Sequence, residues 1–338
     1  MILHIPGRGV PLTEYGILIP SSPGRTGKIL DALSSHPVLG PRKESWLLGS
    51  DGSTITREDL ERAHATDYVD KLFTADGLEE VLLSVYELID SEGKPNRYDP
   101  SRATRPLSEM FDRSFVGLSG TYQCGRRALD HRFCFYLGGG AHHGHREFGH
   151  GFCIVNDSVV AIRKLQAENR IRSAWVIDVD VHKGDGTAAL TESDPTVRTL
   201  SVHMAAGWPL DLPEFSPEGD RNPWFIESDI DVPIAPGEEA EYNKRLTEAL
   251  NAMDEFGPPD CAYVLGGADP YEKDELPSTQ LMKLSLDQIT ERNIIIYEFL
   301  KARKIPQAWL TAGGYGESAW EAYPPFMTYA LLDNLGLS

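Results

Sequence analysis

The sequence predicts an α/β protein whose parallel sheet is flanked by helices and whose 338 residues form a single domain. Short apolar runs rich in β-branched and aromatic residues alternate along the chain with longer segments that carry apolar residues at intervals of three and four. The chain shows no internal repeat, and no linker-like segment divides residues 1–338. Polar segments rich in glycine, histidine and aspartate follow most of the apolar runs, which indicates a site at one edge of the sheet.

The clearest elements follow from these patterns. The predicted strands are 132–137, 174–179, 199–204, 261–265 and 307–312. The predicted helices are 157–168, 239–256 and 287–303. Two stretches rich in proline and polar residues, 91–109 and 205–228, are predicted to be long loops. Loops of that length in a compact domain are often functional.

Composition limits the location of the protein. Hydrophobic residues make up 41% and charged residues 25% of the chain, as in ordinary globular proteins. No apolar run reaches about 18 residues, and the first residues lack the order of a signal peptide, so neither a membrane span nor export is expected. The four cysteines lack CxxC spacing and are expected to be reduced thiols, which predicts a cytoplasmic location.

The charge balance limits the partners. A net charge of −19, from 32 basic and 51 acidic residues, repels phosphates and favours cationic ligands. We therefore expect no nucleic-acid partner. An acidic surface can also serve solubility alone, so the charge does not identify a ligand.

The polar segments after the predicted strands indicate one shared site. They are 138–143, 178–187, 266–270 and 313–318. In open parallel sheets, ligands bind at the carboxyl ends of the strands, where these segments lie. Reactive residues at four such ends are typical of an enzyme.

The segment DVDVHKGDGT (178–187) carries the strongest metal-binding pattern. Alternate residues of a strand point the same way, so Asp178, Asp180 and His182 project together if the strand continues that far. Asp269, at another strand end, would supply a third ligand and leave one coordination position open, as in catalytic zinc sites. Without a metal, Asp180 and His182 would only cap the following turn. Crowded buried aspartates would then repel one another, which favours a metal.

Five motifs together resemble a known family. GGGAHH, GFCIVND, DVDVHKGDGT, GGADP and TAGGYGES occur in the order and approximate spacing of histone deacetylases, which are zinc-dependent enzymes of the arginase-like fold. The resemblance covers roughly residues 60–330, and the stretch after GGADP is most similar to bacterial members near the class IV branch. It implies a three-layer arginase/deacetylase fold with a central eight-stranded parallel sheet flanked by helices.

The resemblance implies two cation sites. The zinc ligands would be Asp180, His182 and Asp269. Family members also carry a potassium ion, and the positions that match its ligands are Asp178, Asp180, His182, Ser201 and Val202. Iron(II) could replace zinc in the cell.

The resemblance also implies the catalytic residues. His142 and His143 match the paired histidines of the family, with Asp178 behind His142 and Asp185 behind His143. An imidazole that is hydrogen-bonded to a carboxylate has a fixed tautomer and raised basicity, as a proton-transfer catalyst needs. We expect His143 to take a proton from the attacking water and deliver it to the leaving amine, while His142 acts electrostatically. Tyr315 matches the tyrosine that polarises the amide carbonyl.

Substrate-binding roles follow from the same resemblance for Asp99, Gly151, Phe152, Trp208 and Leu276. Phe152 matches the aromatic wall of the acyl-lysine tunnel, and Trp208 is expected to face it. Asp99 resembles a rim aspartate that holds the substrate backbone. Polyamine-selective relatives carry a glutamate where this chain has Leu276, which disfavours a dedicated polyamine deacetylase. His145 and His150 receive no role.

The function implied is a zinc-dependent amidohydrolase that removes acetyl or other acyl groups from lysine side chains or similar cationic amines. Acetylpolyamines and small N-acetyl amides are alternative substrates, and an inactive acyl-lysine binding protein is an alternative outside enzymology. The physiological substrate and the oligomeric state stay open.

A two-manganese ureohydrolase of the arginase type is a further alternative, because it has the same fold. Its second metal requires a DxHxD run and a DxD pair. Here Asp185 follows His182 one residue too late, and Pro270 and Tyr271 follow Asp269 in place of a second aspartate at two. The spacing favours one metal.

Overall fold

A computed structural model describes residues 1–7, 10–21 and 24–337. In this part of the chain, eight strands form one sheet: β1 (Ile2–Leu3), β2 (Leu47–Leu48), β3 (Phe133–Tyr136), β4 (Ala174–Asp178), β5 (Val197–Met204), β6 (Ile230–Ile234), β7 (Cys261–Leu265) and β8 (Gln307–Leu310). Their order is β2-β1-β3-β8-β7-β4-β5-β6, and all neighbouring strands are parallel. The predicted fold class is confirmed.

Helices cover both faces of this sheet. In the described residues they are α1 (Arg25–Ser35), α2 (Lys43–Trp46), α3 (Arg57–Glu61), α4 (Thr66–Leu72), α5 (Ala75–Val85), α6 (Glu109–His131), α7 (Asp157–Ala167), α8 (Asp185–Thr191), α9 (Tyr242–Met253), α10 (Leu286–Ala302) and α11 (Pro324–Asn334). None of them combines the length and the apolar character that crossing a bilayer requires.

Alternate strand residues enter two separate cores. In β3, Cys134 and Tyr136 belong to the core that includes α6 and α7. Phe133 and Phe135 belong to the opposite core, which includes α1, α9, α10 and α11. The central strands are therefore buried on both faces, which explains why their sequences are continuously apolar and do not alternate with polar residues. The result is the three-layer arrangement of the arginase/deacetylase fold.

The elements predicted from sequence patterns are all present, with ends that differ by a few residues. The patterns did not reveal β1, β2 or β6. The first two have two residues each, too few for any periodicity. Strand β6 contains Pro233, which lacks a donor for the sheet and is tolerated because β6 lies at its edge.

Both predicted loops are irregular apart from single turns. The stretch 91–109 contains one short 3₁₀ turn, Pro100–Arg102, and α6 begins at its last residue. The stretch 205–228 contains one 3₁₀ turn, Pro223–Phe225. It leaves the carboxyl end of β5, so it starts at the same edge of the sheet as the four polar segments.

Two glycines of α6 give a matched test of its packing. A Cβ at Gly125 would overlap the buried Tyr263 hydroxyl, whereas a Cβ at Gly117 would meet no atom within 4 Å. We expect Gly125→Ala to lower the free energy of unfolding by about 1–3 kcal/mol through overpacking. Gly117→Ala should raise it by about 0.5–1 kcal/mol, because alanine is the better helix former. Urea denaturation measures both. Equal effects of the two substitutions would contradict this packing.

Candidate metal centre and active site

The four polar segments meet because their strands are neighbours. Strands β3, β8, β7 and β4 occupy consecutive positions in the sheet. Each segment leaves the carboxyl end of its strand, so the reactive side chains converge at one edge. This juxtaposition joins residues that lie far apart in the sequence.

Asp180, His182 and Asp269 form a buried group whose ligand atoms all lie within 4.8 Å of one another. His182 Nδ1 is 3.3 Å from Asp180 Oδ1 and 3.4 Å from Asp269 Oδ2. His182 Nε2 is 3.2 Å from the Ser278 hydroxyl, which leaves Nδ1 directed at the two carboxylates. Asp269 Oδ2 is buried and has no hydrogen-bond partner. This set fits a divalent cation, which would satisfy the orphaned oxygen.

The convergence of Asp180 and His182 does not depend on a longer strand. Strand β4 ends at Asp178 and does not continue to His182. Instead, Asp178 Oδ1 accepts a hydrogen bond from Asp180 N at 3.1 Å, and Asp180 Oδ1 accepts one from His182 N at 3.2 Å. These two turns, and not strand alternation, direct Asp180 and His182 to the same point.

A buried arginine holds the two loops that carry this group. Arg292, on α10, is fully buried and donates to Val179 O at 2.8 Å and to Gly267 O at 2.9 Å. These carbonyls lie beside Asp180 and near Asp269 in the sequence. The sequence prediction missed this residue. The sequence did contain an indication of its role, because Arg292 lies on the apolar face of the predicted helix 287–303, where a charged residue needs a buried partner.

Gly313, in the segment that follows β8, supports the same group. Its N–H donates to Asp180 Oδ2 at 2.9 Å. A Cβ at this position would overlap Asp269 Oδ2 and lie within contact of Asp180. Only a residue without a side chain allows the backbone to approach the two carboxylates this closely.

Opposing effects set the protonation of the group. Burial opposes the charged form of His182, but the neighbouring carboxylates of Asp180 and Asp269 raise its pKa to about 9. Burial would raise the pKa of Asp180, but His142 and His182 hold it well below its ordinary value. Burial and then the charge of Asp180 raise the pKa of Asp269. The group therefore retains protons that a cation would displace.

The two neighbouring histidines each meet a carboxylate. His142 Nδ1 donates to Asp178 Oδ2 at 2.6 Å, and His143 Nδ1 donates to Asp185 Oδ1 at 2.5 Å. All four side chains are buried, and the two ring centroids are 3.9 Å apart. The structure thus brings together the pairs that the resemblance implied. In each ring, Nδ1 bonds to the paired carboxylate and Nε2 does not.

The two histidines differ in protonation. Burial opposes protonation of His142, but the charges of Asp178 and Asp180 raise its pKa to about 10. Burial and then the positive charge of His142 lower the pKa of His143 to about 3. Near neutral pH, His142 is therefore a cation and His143 a neutral base. Two adjacent imidazoles with separated pKa values can serve different roles.

The sequence prediction gave His145 and His150 no role, yet both approach the carboxylate of Asp185. His145 Nε2 is 3.0 Å from Asp185 Oδ2, and His150 Nε2 is 3.8 Å from the same oxygen. The spacing in GGGAHHGHREFGHGF did show four close histidines, but not which of them share a partner.

Tyr315 lies between the metal group and the tunnel wall. Its backbone N–H donates to Asp274 Oδ2 at 2.7 Å, and its ring centroid is 6.1 Å from that of Phe152. Burial and then the charges of Asp269 and Asp180 raise the pKa of Tyr315 well above its ordinary value, so the hydroxyl keeps its proton. Asp274, which the sequence prediction missed, is buried and also accepts from Leu276 N at 2.9 Å.

A cavity of about 420 Å³ reaches this centre. Its lining includes four of the predicted substrate-binding residues and Tyr315: Gly151, Phe152, Trp208, Leu276 and Tyr315. A second cavity, of about 700 Å³, shares His143, His182, Phe152 and Tyr315 with the first and continues past Arg25 and Gly140. The centre therefore lies between two connected spaces.

Backbone geometry shapes the tunnel wall. Phe152 has a φ of +66°, which is uncommon for a bulky residue, and its ring stacks on Tyr86 with centroids 5.8 Å apart. Gly151 has a φ of +51°, and a Cβ there would overlap the Trp208 ring and approach His143. The glycine thus allows Trp208 to sit against His143, where the ring centroids are 4.6 Å apart.

Asp99 is not among the residues that line either cavity. Its Oδ1 accepts from Ser101 N at 3.1 Å and from Ser101 Oγ at 2.6 Å. This carboxylate caps the turn that starts at Pro100.

The positions matched to potassium lie at the end of β4, in the turns that follow it and within the adjacent strand β5. Asp178 of β4 pairs directly with Ser201 of β5, and Val202 follows it. Ser201 Oγ is 3.0 Å from His203 Nδ1 and accepts from Gly184 N at 3.3 Å. Because Gly184 lies two residues after His182, this hydrogen bond joins β5 to the segment that carries Asp180 and His182.

Comparisons with known proteins agree with this geometry. Residues 19–329 match the family model of the histone deacetylase domain. The chain is 30% identical to histone deacetylase 2 of Arabidopsis thaliana over 60% of this chain and 49% of that protein. It is 27% identical to the acetoin utilization protein AcuC of Bacillus subtilis over 56% of this chain and 47% of that protein.

An uncharacterized protein of Picosynechococcus sp. is 28% identical over 62% of this chain and 65% of its own length. The chain thus spans between about half and two thirds of the length of these curated relatives. The family match is much broader, because residues 19–329 extend from the segment before α1 into α11. A match across nearly the whole fold means that this chain belongs to the histone deacetylase family.

Proposed function

We propose that this chain is a zinc-dependent deacylase that hydrolyses the amide of acylated lysine side chains or similar cationic amines. The observation that carries the proposal is the buried Asp180–His182–Asp269 group, with an orphaned carboxylate oxygen, beside two histidine–carboxylate pairs. We further propose that residues 1–338 act as one catalytic domain in the cytoplasm. Four free, buried thiols are consistent with a reducing compartment.

Zinc fits the donor set better than calcium or magnesium. One imidazole nitrogen and two carboxylate oxygens suit zinc, whereas calcium and magnesium prefer oxygen ligands alone. When bound by Asp180, His182 and Asp269, zinc would polarise the substrate carbonyl and acidify a water molecule. The described residues offer this one group of three metal-binding side chains. A two-manganese ureohydrolase is therefore disfavoured.

His143 is suited to act as the general base. Its Nδ1 is held by Asp185, so the neutral ring presents Nε2 as a proton acceptor. It would take a proton from the attacking water and deliver that proton to the leaving amine. His142, protonated and held by Asp178, would stabilise the negative charge that develops on the carbonyl oxygen as the water adds.

Tyr315 is suited to donate a hydrogen bond to the same oxygen. Its raised pKa keeps the phenol protonated, and it lines both cavities at the point where they share His143 and His182. The hydrogen bond between its backbone and Asp274 restrains the loop that carries it.

The tunnel favours a linear chain that ends in an amide. Phe152 and Trp208 line the same 420 Å³ cavity, and aromatic faces suit a methylene chain. Leu276, also buried in this wall, is apolar where a polyamine-selective enzyme would carry an acid. Acyl-lysine peptides are therefore the favoured substrates. Acetylpolyamines remain the alternative because the protein carries a net charge of −19.

Potassium is proposed as a structural ion held by Asp178, Asp180, His182, Ser201 and Val202, partly through backbone carbonyls. The direct pairing of Asp178 with Ser201 supports this assignment. Such an ion would hold the turns that direct Asp180 and His182. Elemental analysis of the purified protein measures potassium together with zinc, and a potassium content near zero would refute this site.

The function is tested with a fluorogenic acetyl-lysine peptide, acetylpolyamines and a longer acyl-lysine peptide, each with the zinc-loaded protein. We expect turnover of at least the acetyl-lysine peptide, and loss of turnover with a chelator or a hydroxamate. No turnover of any acyl amide by the zinc-loaded protein would overturn the proposal. Faster turnover of acetylpolyamines than of peptides would favour the alternative substrate.

Zinc affinity should rise with pH. His182 of the metal-free protein holds a proton up to about pH 9, and zinc must displace it. Each unit of pH below that value should cost up to about tenfold in affinity. Competition with a chromophoric chelator at pH values between about 6 and 8 measures this. An affinity that does not change over this range would contradict the assignment of His182 as a ligand.

Tyr315→Phe should lower kcat by about 10²–10³, the usual effect of removing one oxyanion donor, while zinc content stays at the wild-type level. Tyr329→Phe provides the control, because the Tyr329 hydroxyl is exposed and bonds only to the surface residue Glu298 among the contacts described. A kcat of Tyr315→Phe within about threefold of the control would exclude the hydroxyl from the reaction.

A further inference from the structure

The carboxylate behind His143 is shared by three imidazoles. Asp185 is fully buried, and its Oδ1 accepts from His143 at 2.5 Å. Its Oδ2 faces His145 Nε2 at 3.0 Å and His150 Nε2 at 3.8 Å. A carboxylate that bonds through both oxygens cannot rotate without losing a partner. The environment of Oδ2 therefore affects the orientation of His143.

His150 is fixed between two tryptophans of the long 205–228 loop. Its ring stacks on Trp224 with centroids 4.2 Å apart and planes 7° apart. On its other side Trp208 lies 4.6 Å away at 31°. Trp208 also contacts the edge of the His143 ring at 4.6 Å. The loop thus reaches the base by direct contact and through His150.

The free nitrogen of His150 points to the same carboxylate. His150 Nε2 is buried and has no hydrogen-bond partner in the described structure, although Asp185 Oδ2 lies only 3.8 Å away. A small rotation within the tryptophan sandwich would complete this hydrogen bond. A buried unpaired imidazole nitrogen is unfavourable, so the bonded arrangement should be populated.

The position of His150 in the chain connects this nitrogen to the tunnel. His150 and Cys153 exchange backbone hydrogen bonds of 3.0 and 2.8 Å, which closes a tight turn over Gly151 and Phe152. His150 thus belongs to the turn that carries Phe152, while its side chain packs on the 205–228 loop and lies close to Asp185.

We propose that His150 is a positioning residue for the proposed deacylase: its N–H, together with that of His145, holds Asp185 Oδ2, so that Oδ1 keeps His143 aligned. The tryptophan sandwich sets the orientation of His150, and the 205–228 loop therefore affects catalysis as well as substrate binding. This inference rests on the proposed function. The simpler alternative is that His145 alone holds Asp185 and that His150 only fills the sandwich.

Two substitutions separate these roles. His150→Phe keeps an aromatic ring in the sandwich but removes the N–H, whereas His150→Gln keeps an N–H donor but loses the ring. With the acetyl-lysine peptide, we expect His150→Phe to lower kcat about tenfold and to change KM less than about twofold. His150→Gln should restore kcat to within about threefold of wild type.

A matched control makes the same change elsewhere. His131→Phe lies at the end of α6, just before the amino end of β3 and so at the opposite edge of the sheet, and should leave kcat and KM unchanged. Thermal unfolding checks that each variant is folded. If His150→Phe does not fold, Trp224→Phe and Trp224→Leu provide the second pair, with kcat retained by the first and lowered at least about fivefold by the second.

A readout independent of turnover completes the test. In wild type, the His143 Nδ1 proton should give a far-downfield resonance from its bond to Asp185, and His150→Phe should shift or broaden it while His150→Gln does not. If wild type turns over no acyl amide, the proposed function fails, but this resonance still tests the positioning.

Three results would overturn the inference: a kcat of His150→Phe within about twofold of wild type, equal losses in His150→Phe and His150→Gln, or a rise in KM alone. Each would mean that His150 acts by packing or by contact with substrate and not through Asp185.

Discussion

The concentration of buried carboxylates at one edge of the sheet is the constraint on which the rest of this site depends. Asp178, Asp180, Asp185 and Asp269 are each almost completely buried. Uncompensated charges of this kind are too costly to bury, so each must meet a cation or a strong donor. The histidines, the buried arginine and the proposed metal follow from this requirement.

The groups that offset the buried negative charge differ from one aspartate to the next, and these differences give the neighbouring side chains different protonation states. Asp178 is paired with a protonated His142 and Asp185 with a neutral His143, so the two adjacent imidazoles differ in charge. Asp269 retains an oxygen without a partner, which is available to the proposed metal. Similar residues thus acquire distinct functions through burial and neighbours.

The supporting contacts are as specific as the reactive ones. Arg292 joins the backbones of two metal-binding loops, and Asp274 restrains the loop of Tyr315. The long 205–228 loop contributes Trp208 to the tunnel and Trp224 to the aromatic packing around His150. This loop therefore contacts both the cavity wall and the histidine that lies beside Asp185.

The sequence by itself determined the fold class, the five central strands and the identity of most candidate residues, because apolar runs and local motifs are properties of neighbouring residues. It did not reveal Arg292 or the roles of His145 and His150, whose partners lie far away in the chain. It made the shared direction of Asp180 and His182 conditional on a strand that continues to them, whereas two side-chain-capped turns direct them in the structure. Distances, burial and shared partners arise only when β3, β8, β7 and β4 become neighbours, since long-range packing decides which charges must balance one another.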